Sequence, residues 1–288
     1  KTFYTDANIA ITANLSKYLT FKTSYSYRGK HDRSVNHAPD YIADMKAKNI
    51  YPMNTEMSAY GEEQVWDNVL NFNKTYGEHS INAMIGTSLT SSKYTWNSVS
   101  VEGKTIIYKV EDGNLVTSEV PAGFLSSDFN TINAGSGGTY SGSGTKWTYN
   151  RASFFGRLNY TFKDRYLLTA TLRADGSSNF ASGERWGFFP SVAAGWRFTE
   201  EEFLAPLRNV LSNGKLRLSY GETGNSNVGD KAYSYYKVGN NNIFGNSMIN
   251  GVYLSQLGNN VLTWETAREW NVGLDLGFLD GRVNVTAE

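Results

Sequence analysis

Between residues 150 and 198, apolar and polar side chains alternate one by one through three successive segments. In the first, Ala152, Phe154, Gly156, Leu158, Tyr160 and Phe162 share one face, and Ser153, Phe155, Arg157, Asn159 and Thr161 share the other. In the second, Tyr166, Leu168, Ala170, Leu172 and Ala174 oppose Leu167, Thr169, Thr171, Arg173 and Asp175. In the third, Pro190, Val192, Ala194, Trp196 and Phe198 oppose Ser191, Ala193, Gly195 and Arg197. A period of two predicts strands whose two faces meet different surroundings. One face is apolar with aromatic ends, and the other carries Arg, Asp, Asn and Thr. A transmembrane β-barrel strand reads this way, with lipid outside and a wet lumen inside.

The same rhythm recurs in pairs. Residues 9–15 and 19–28 flank the turn Ser16-Lys17-Tyr18, and residues 63–73 and 79–90 flank Lys74-Thr75-Tyr76-Gly77. Residues 151–162 and 166–174 flank Lys163-Asp164-Arg165, and 188–198 is followed by 214–221. The last pair, 263–278 and 282–288, surrounds Leu279-Asp280-Gly281, a strong hairpin signal. Between the pairs lie long stretches rich in Gly, Asn, Ser and Tyr, at 29–60, 91–149, 175–187 and 222–261. Within them, Gly135–Gly144 is low in complexity and expected to be mobile. Connections thus alternate short and long, as periplasmic turns and extracellular loops do in outer-membrane barrels. A compact soluble domain rarely holds several structureless loops beyond about 15 residues.

The predicted fold is all-β: a partial transmembrane antiparallel β-barrel of about ten strands. The register places the even positions of 154–162 and 166–174 toward lipid. The segment 264–276 is harder to place, because Arg268 falls on its apolar face. Arg268 is therefore expected above the membrane edge, with Trp270 at the interface. Thr199-Glu200-Glu201-Glu202 reads as a capping box that opens a short helix on the turn side. Pro39, Pro52, Pro121 and Pro206 are expected in connections, and Pro190 near the start of its strand.

Bulk properties sharpen the picture in places. The 288 residues carry 27 basic and 27 acidic side chains, a balance that argues against a nucleic-acid partner. The absence of cysteine excludes disulfides and cysteine-ligated metals. No apolar run reaches the roughly 20 residues of a membrane helix. Aromatic residues make up 14%, which girdles at two membrane interfaces would explain. The chain starts at Lys1, and its alternation is still running at Glu288. It is expected to be an internal piece of a longer protein, one partial barrel domain over residues 1–288.

Candidate chemistry is sparse. His31, His37 and His79 are expected in loops or turns and lack metal-ligand spacing. Gly142-Ser143-Gly144-Thr145-Lys146 falls short of a phosphate-binding loop, and no GxSxG occurs. Asp175-Gly176-Ser177-Ser178 reads as a turn held by the aspartate side chain. No catalytic group, cofactor or metal site is assigned, and the protein is not expected to be an enzyme. Substrate contacts are assigned to the loop aromatics Trp147, Tyr233, Tyr235 and Tyr236 and to the lumen arginines Arg157, Arg173 and Arg197. These arginines also have a plainer reading, as partners for neighbouring lumen groups.

Three stretches carry a family likeness: Arg157-Leu158-Asn159-Tyr160, the run Asp164–Ser178, and Arg185-Trp186-Gly187-Phe188-Phe189-Pro190-Ser191-Val192-Ala193-Ala194-Gly195-Trp196-Arg197. So do Leu218-Ser219-Tyr220-Gly221-Glu222-Thr223-Gly224-Asn225, Leu262-Thr263-Trp264-Glu265 and Asn271-Val272-Gly273-Leu274-Asp275. Asn73-Lys74-Thr75-Tyr76-Gly77 fits an earlier hairpin. Together they resemble the SusC/RagA family, the TonB-linked outer-membrane transporters of Bacteroidetes. The resemblance implies a large plugged barrel of about 22 strands that imports oligosaccharides or peptides. It implies a SusD-like surface lipoprotein as partner, and the TonB–ExbB–ExbD complex as energy source, acting through an N-terminal part not found in this chain. Rival readings are a passive porin-like channel, an outer-membrane barrel enzyme and a soluble glycan-binding β domain. Substrate and partner contacts are expected in the loops 91–149 and 222–261 rather than in the strands.

Overall fold

A computed structural model describes residues 1–46, 48–112, 114–121, 124, 129–135, 137–244 and 247–288. Its strands, in chain order, are β1 (Thr2–Asn14), β2 (Leu19–Ala38), β3 (Tyr41–Ile42), β4 (Lys48–Asn49), β5 (Met53–Tyr76) and β6 (His79–Glu102). They continue with β7 (Lys104–Glu111), β8 (Asn114–Pro121), β9 (Thr139–Phe162), β10 (Tyr166–Ser177) and β11 (Trp186–Trp196). The last are β12 (Leu211–Asn225), β13 (Tyr235–Phe244), β14 (Ser247–Gln256), β15 (Glu265–Phe278) and β16 (Val283–Ala287). Ten of them form one sheet in the order β1-β2-β5-β6-β9-β10-β11-β12-β15-β16. The other six make the small hairpins β3–β4, β7–β8 and β13–β14. Each hairpin interrupts a connection at the end of the sheet away from the short turns.

Two of the short turns pass through the left-handed backbone region. Lys163 and Asp164 take φ of 54° and 52°, and Leu279, Asp280 and Gly281 take 54°, 56° and 80°. Aspartate and glycine tolerate this left-handed region best, so both turns close within three residues.

By compactness the chain divides into two units. One comprises residues 1–7, 26–64 and 92–148; the other comprises 8–25, 65–91 and 149–288. In the second unit the register confirms the alternation. Leu168 stands between Tyr160 and Ala194, Ala170 between Leu158 and Val192, and Leu172 between Gly156 and Pro190. The apolar row continues through Val192–Tyr220, Ala194–Leu218 and Trp196–Leu216, then Tyr220–Trp270, Leu218–Val272 and Leu216–Leu274. These side chains are bare: Leu172 is 57% exposed, Phe188 65% and Trp270 71%. A continuous exposed apolar face of this extent needs an apolar solvent. From Phe154 to Phe162 it runs about 27 Å along the strand, roughly 21 Å in height at a tilt near 40°, close to the band an outer-membrane barrel presents.

Aromatic residues mark both margins of the band. Phe162 stacks on Tyr166 at 6.2 Å at the turn end, and Tyr220 lies 4.5 Å from Trp270 at the other. Two residues beyond Trp270, Arg268 pairs with Glu222 at 3.2 Å, so the charge on the apolar register lies above the aromatic margin and is neutralised there.

Several local expectations fail for identifiable reasons. Thr199 caps no helix. It is buried, its Oγ1 accepts the Gly214 N–H at 3.0 Å, and the connection forms two 3-10 turns, Phe198–Glu200 and Glu202–Leu207. Asp175 makes no turn; it lies inside β10, its carboxylate taken up by Arg173. The turn begins later, where the Ser177 hydroxyl accepts the Asn179 N–H at 3.2 Å. Pro190 is mid-strand rather than near a strand start, and Pro121 closes β8. Of the low-complexity run, Thr139–Gly144 is ordered in β9, while residue 136 lies outside the described residues. The three histidines are in strands: His31 and His37 in β2, His79 in β6.

Candidate functional site

The polar face of the second unit is the first surface a solute inside a barrel would meet. It is a wall of cross-strand networks. Arg173 Nε donates to Asp175 at 2.7 Å and its Nη2 to the Ser153 hydroxyl at 3.0 Å, so three neighbouring side chains on β9 and β10 are tied together. Its guanidinium also lies over the Phe155 ring at 5.5 Å. Arg217 donates to Asp275 at 2.8 Å and to Glu288 at 2.8 Å, while Thr286 Oγ1 donates to Asp275 at 3.2 Å. Asn159 links Thr169 at 3.0 Å to Asn82 at 3.2 Å. Arg157 Nε donates to Thr171 at 3.2 Å. Polar and charged groups of this kind suit a wet wall, where water and cross-strand partners share their donors and acceptors.

The three arginines assigned from sequence therefore differ. Arg173 is committed to the wall. Arg157 has one neutral partner and keeps most of its donors for another group. Arg197 lies at the turn end, its Nη1 3.5 Å from the Asp164 carbonyl, far from the loop end of the strand.

At the loop end, an aromatic cluster joins three connections. Phe180 and Phe189 pack on Trp264 with centroids 5.5 and 5.3 Å apart, and Phe180 is fully buried. Trp264 Nε1 donates to the Arg185 carbonyl at 2.9 Å. Gly224 makes this packing possible, since a Cβ there would stand 2.0 Å from Phe189. Asn179 Nδ2 donates to the Ser226 carbonyl at 3.0 Å, and Tyr233 OH to the Phe180 carbonyl at 3.3 Å. Tyr233 thus helps hold the loop through its hydroxyl, while 41% of its surface stays exposed. Tyr235 and Tyr236 are 44% and 68% exposed, open to a ligand. Partial desolvation of the phenol, with the Asp230 carboxylate nearby, holds Tyr235 above its ordinary value. It stays a neutral donor throughout the physiological range.

In the first unit, Trp147 tilts against Tyr94 at 5.7 Å and keeps 48% of its surface exposed. Lys104 bridges Glu102 at 2.9 Å and Glu119 at 3.0 Å, and these two carboxylates hold its ammonium above the ordinary lysine value. Lys93 and the Tyr60 hydroxyl hold the Glu62 carboxyl below the usual glutamate range. Asn54 is fully buried; its Nδ2 donates to the carbonyls of Phe129 and Thr131, and His37 Nδ1 lies 2.5 Å from its Oδ1.

Sequence reading missed the Arg217–Asp275 pair, the Phe180–Phe189–Trp264 cluster and a rim cluster around Glu201. The Tyr166 hydroxyl donates to Glu201 at 2.6 Å, Trp196 Nε1 at 3.1 Å and Arg165 at 3.2 Å. These donors hold the carboxyl below its ordinary value of 4.5. A depressed carboxyl contributes stability that is fully present above its ordinary value and is lost as the pH falls through the lower folded value. Glu201→Gln in the full-length protein should lower the barrel's melting temperature at pH 7. That deficit should shrink as the pH drops below 4.5. A pH-independent deficit in thermal melts would show that the charge does not matter.

A sheet with one bare apolar face, aromatic margins and a polar hydrogen-bonded face is the wall of an outer-membrane-type β-barrel. The chain belongs to the TonB dependent receptor-like, beta-barrel family, which it matches over residues 2–288. It is 48% identical over 136 residues to the TonB-dependent receptor SusC of Bacteroides thetaiotaomicron, covering 46% of this chain and 13% of that protein. It is 29% identical over 282 residues to the TonB-dependent receptor P39 of Formosa agariphila, covering 96% of this chain and 24% of the relative. The chain therefore spans a quarter or less of these two relatives. In fold it is similar to a solved structure of the RagAB peptide transporter, with TM-score 0.80 and 22% identity over 99% of this chain and 29% of that one.

Proposed function

We propose that this chain forms part of the wall of an energy-coupled outer-membrane importer for oligosaccharides or peptides, working with a SusD-like surface lipoprotein and driven by TonB–ExbB–ExbD. The observation that carries this reading is the two-faced ten-stranded sheet, whose hairpin excursions all lie at the end away from the short turns. A long-loop end can meet a lid protein, and a polar wall can pass a hydrophilic solute. The RagAB structures, described as a peptide transporter and importer, favour a peptide cargo. SusC and P39 bear the name TonB-dependent receptor, which favours energy coupling over passive diffusion. Transport makes and breaks no covalent bond, so the reading needs no catalytic group.

The loops 91–149 and 222–261 supply the ligand and lid contacts in this reading, with Trp147, Tyr235 and Tyr236 as stacking surfaces and Arg157 as a lumen donor. Flat aromatic faces with neutral hydroxyls suit sugar rings and peptide backbones alike. Deleting 226–256 from the full-length transporter should abolish growth on its nutrient while leaving a heat-modifiable barrel in the outer membrane. Normal growth of that deletion strain would refute the loop's role. Uptake that persists in a strain without TonB would identify a passive channel instead.

A further inference from the structure

The apolar face is not uniform. A cavity of about 510 Å³ opens on it within the second unit, spanning β2 to β11. Its floor is low because Gly156 and Ala174 stand where neighbouring strands carry large side chains. Phe21, Leu70, Ile85 and Phe188 raise its walls. On this otherwise hydrocarbon surface, Asn68 and Thr87 are polar, with Asn68 Nδ2 3.4 Å from Thr87 Oγ1. Among the described residues this is the one side-chain bond that Asn68 makes, so its amide oxygen is left to accept. A carboxamide facing lipid is costly unless something satisfies it.

The depth of this polar spot identifies what could. Trp66, two residues from Asn68 on the same face of β5, is 49% exposed and donates through Nε1 to Thr23 at 3.0 Å. It marks the aromatic margin toward the long loops. Two residues are about 7 Å along a strand, or roughly 5 Å in depth at the usual tilt. A hydroxyl a few carbons below a lipid head group sits at that level.

We propose that the cavity binds an acyl chain of an outer-leaflet glycolipid of the lipid A type, whose chains bear a hydroxyl on the third carbon, with that hydroxyl donating to Asn68 Oδ1 and accepting from the Thr87 hydroxyl. The proposal rests on the outer-membrane reading above and adds a lipid site to it. The walls hold the chain by apolar contact, and the polar pair selects for the hydroxyl.

The test uses the full-length protein, extracted from the outer membrane in mild detergent and incubated separately with lipid A and with phosphatidylethanolamine of matched chain length. Retained lipid is counted by native mass spectrometry. Wild type should retain lipid A at least tenfold more often than phosphatidylethanolamine. Asn68→Leu combined with Thr87→Val should erase that preference and leave phosphatidylethanolamine retention unchanged. This variant removes polar groups from a lipid-facing surface, so its barrel should assemble normally and remain heat-modifiable. Gly156→Phe should fill the floor and reduce retention of both lipids. Equal retention of the two lipids by wild type, or an unchanged preference in the double variant, would overturn the site while leaving the transporter reading intact. Absence of the protein from the outer-membrane fraction would overturn both.

Discussion

Replacing Leu168 with arginine in the full-length protein should block barrel assembly, whereas Thr169→Arg, one residue away, should be tolerated. Leu168 lies in the apolar row between Tyr160 and Ala194, one pair from the centre of the band at Ala170. A charge at the bilayer midplane of such a barrel costs about 2–4 kcal/mol, falling toward the margins. Even about 2 kcal/mol is a large share of a typical 5–15 kcal/mol stability. Thr169 points to the opposite face, where its hydroxyl donates to Asn159, and Arg157 and Arg173 already stand on the same wall. An arginine there finds water and carbonyl oxygens. The measurement is heat-modifiability on cold gels of the two variants extracted from outer membranes. Equal assembly of both would refute the register.

The isolated 288-residue chain should have no cooperative monomeric fold in water. The strand order ends at β1 and β16, which do not pair with each other, so two edges offer unpaired backbone groups. The apolar row from β9 to β16 adds a continuous hydrocarbon face, with Val272 61% exposed and Val192 45%. Open edges and a bare apolar face each favour association. Size-exclusion chromatography and thermal melting without detergent should give aggregates and no sharp transition. A monomer that melts cooperatively would contradict the assignment of the apolar face to lipid.

How much of this was legible in the chain depends on the range of the interaction. Strand faces depend on a period of two, which any five residues display, so the rows through Phe154, Leu168 and Val192 could be read directly. The placement of Arg268 followed from the cost of burying its charge, and the structure supplies the partner, Glu222, 46 residues earlier in the chain. Strands such as β2, β5, β6 and β9 run well beyond the alternating segments because the signal is apolar-against-polar contrast. In the upper part of β5, Asn54, Glu56 and Ser58 continue the extended backbone with no hydrocarbon to contrast with. Asp175 misled because Asp-Gly-Ser-Ser matches a turn composition. Its real partner, Arg173, lies two residues away on the same face of one strand, a relation that exists only once the strand is known to continue. Thr199 misled for a similar reason, since the backbone that claims its hydroxyl belongs to Gly214 on the next strand.

The candidate site was less legible than the fold. Arg217 and Asp275 are 58 residues apart, and only the register of β12 against β15 brings them together. The Tyr233 hydroxyl is tied to the Phe180 carbonyl while its side chain stays partly exposed, a tie between the β10–β11 connection and the long loop after β12 that no local pattern announces. Composition shows which residues could stack on a ligand; only the folded loop shows which of them also hold it together.

The most direct measurement is a spin-label scan of β10 in the full-length protein, reconstituted in lipid nanodiscs. Single cysteines at positions 166 to 175 would each carry a nitroxide, and accessibility to oxygen would be compared with that to a water-soluble nickel chelate. A membrane wall requires oxygen accessibility to rise at Leu168, Ala170 and Leu172 and nickel accessibility to rise at Thr169, Thr171 and Arg173, a strict period of two. Uniform nickel accessibility at all ten positions would contradict it.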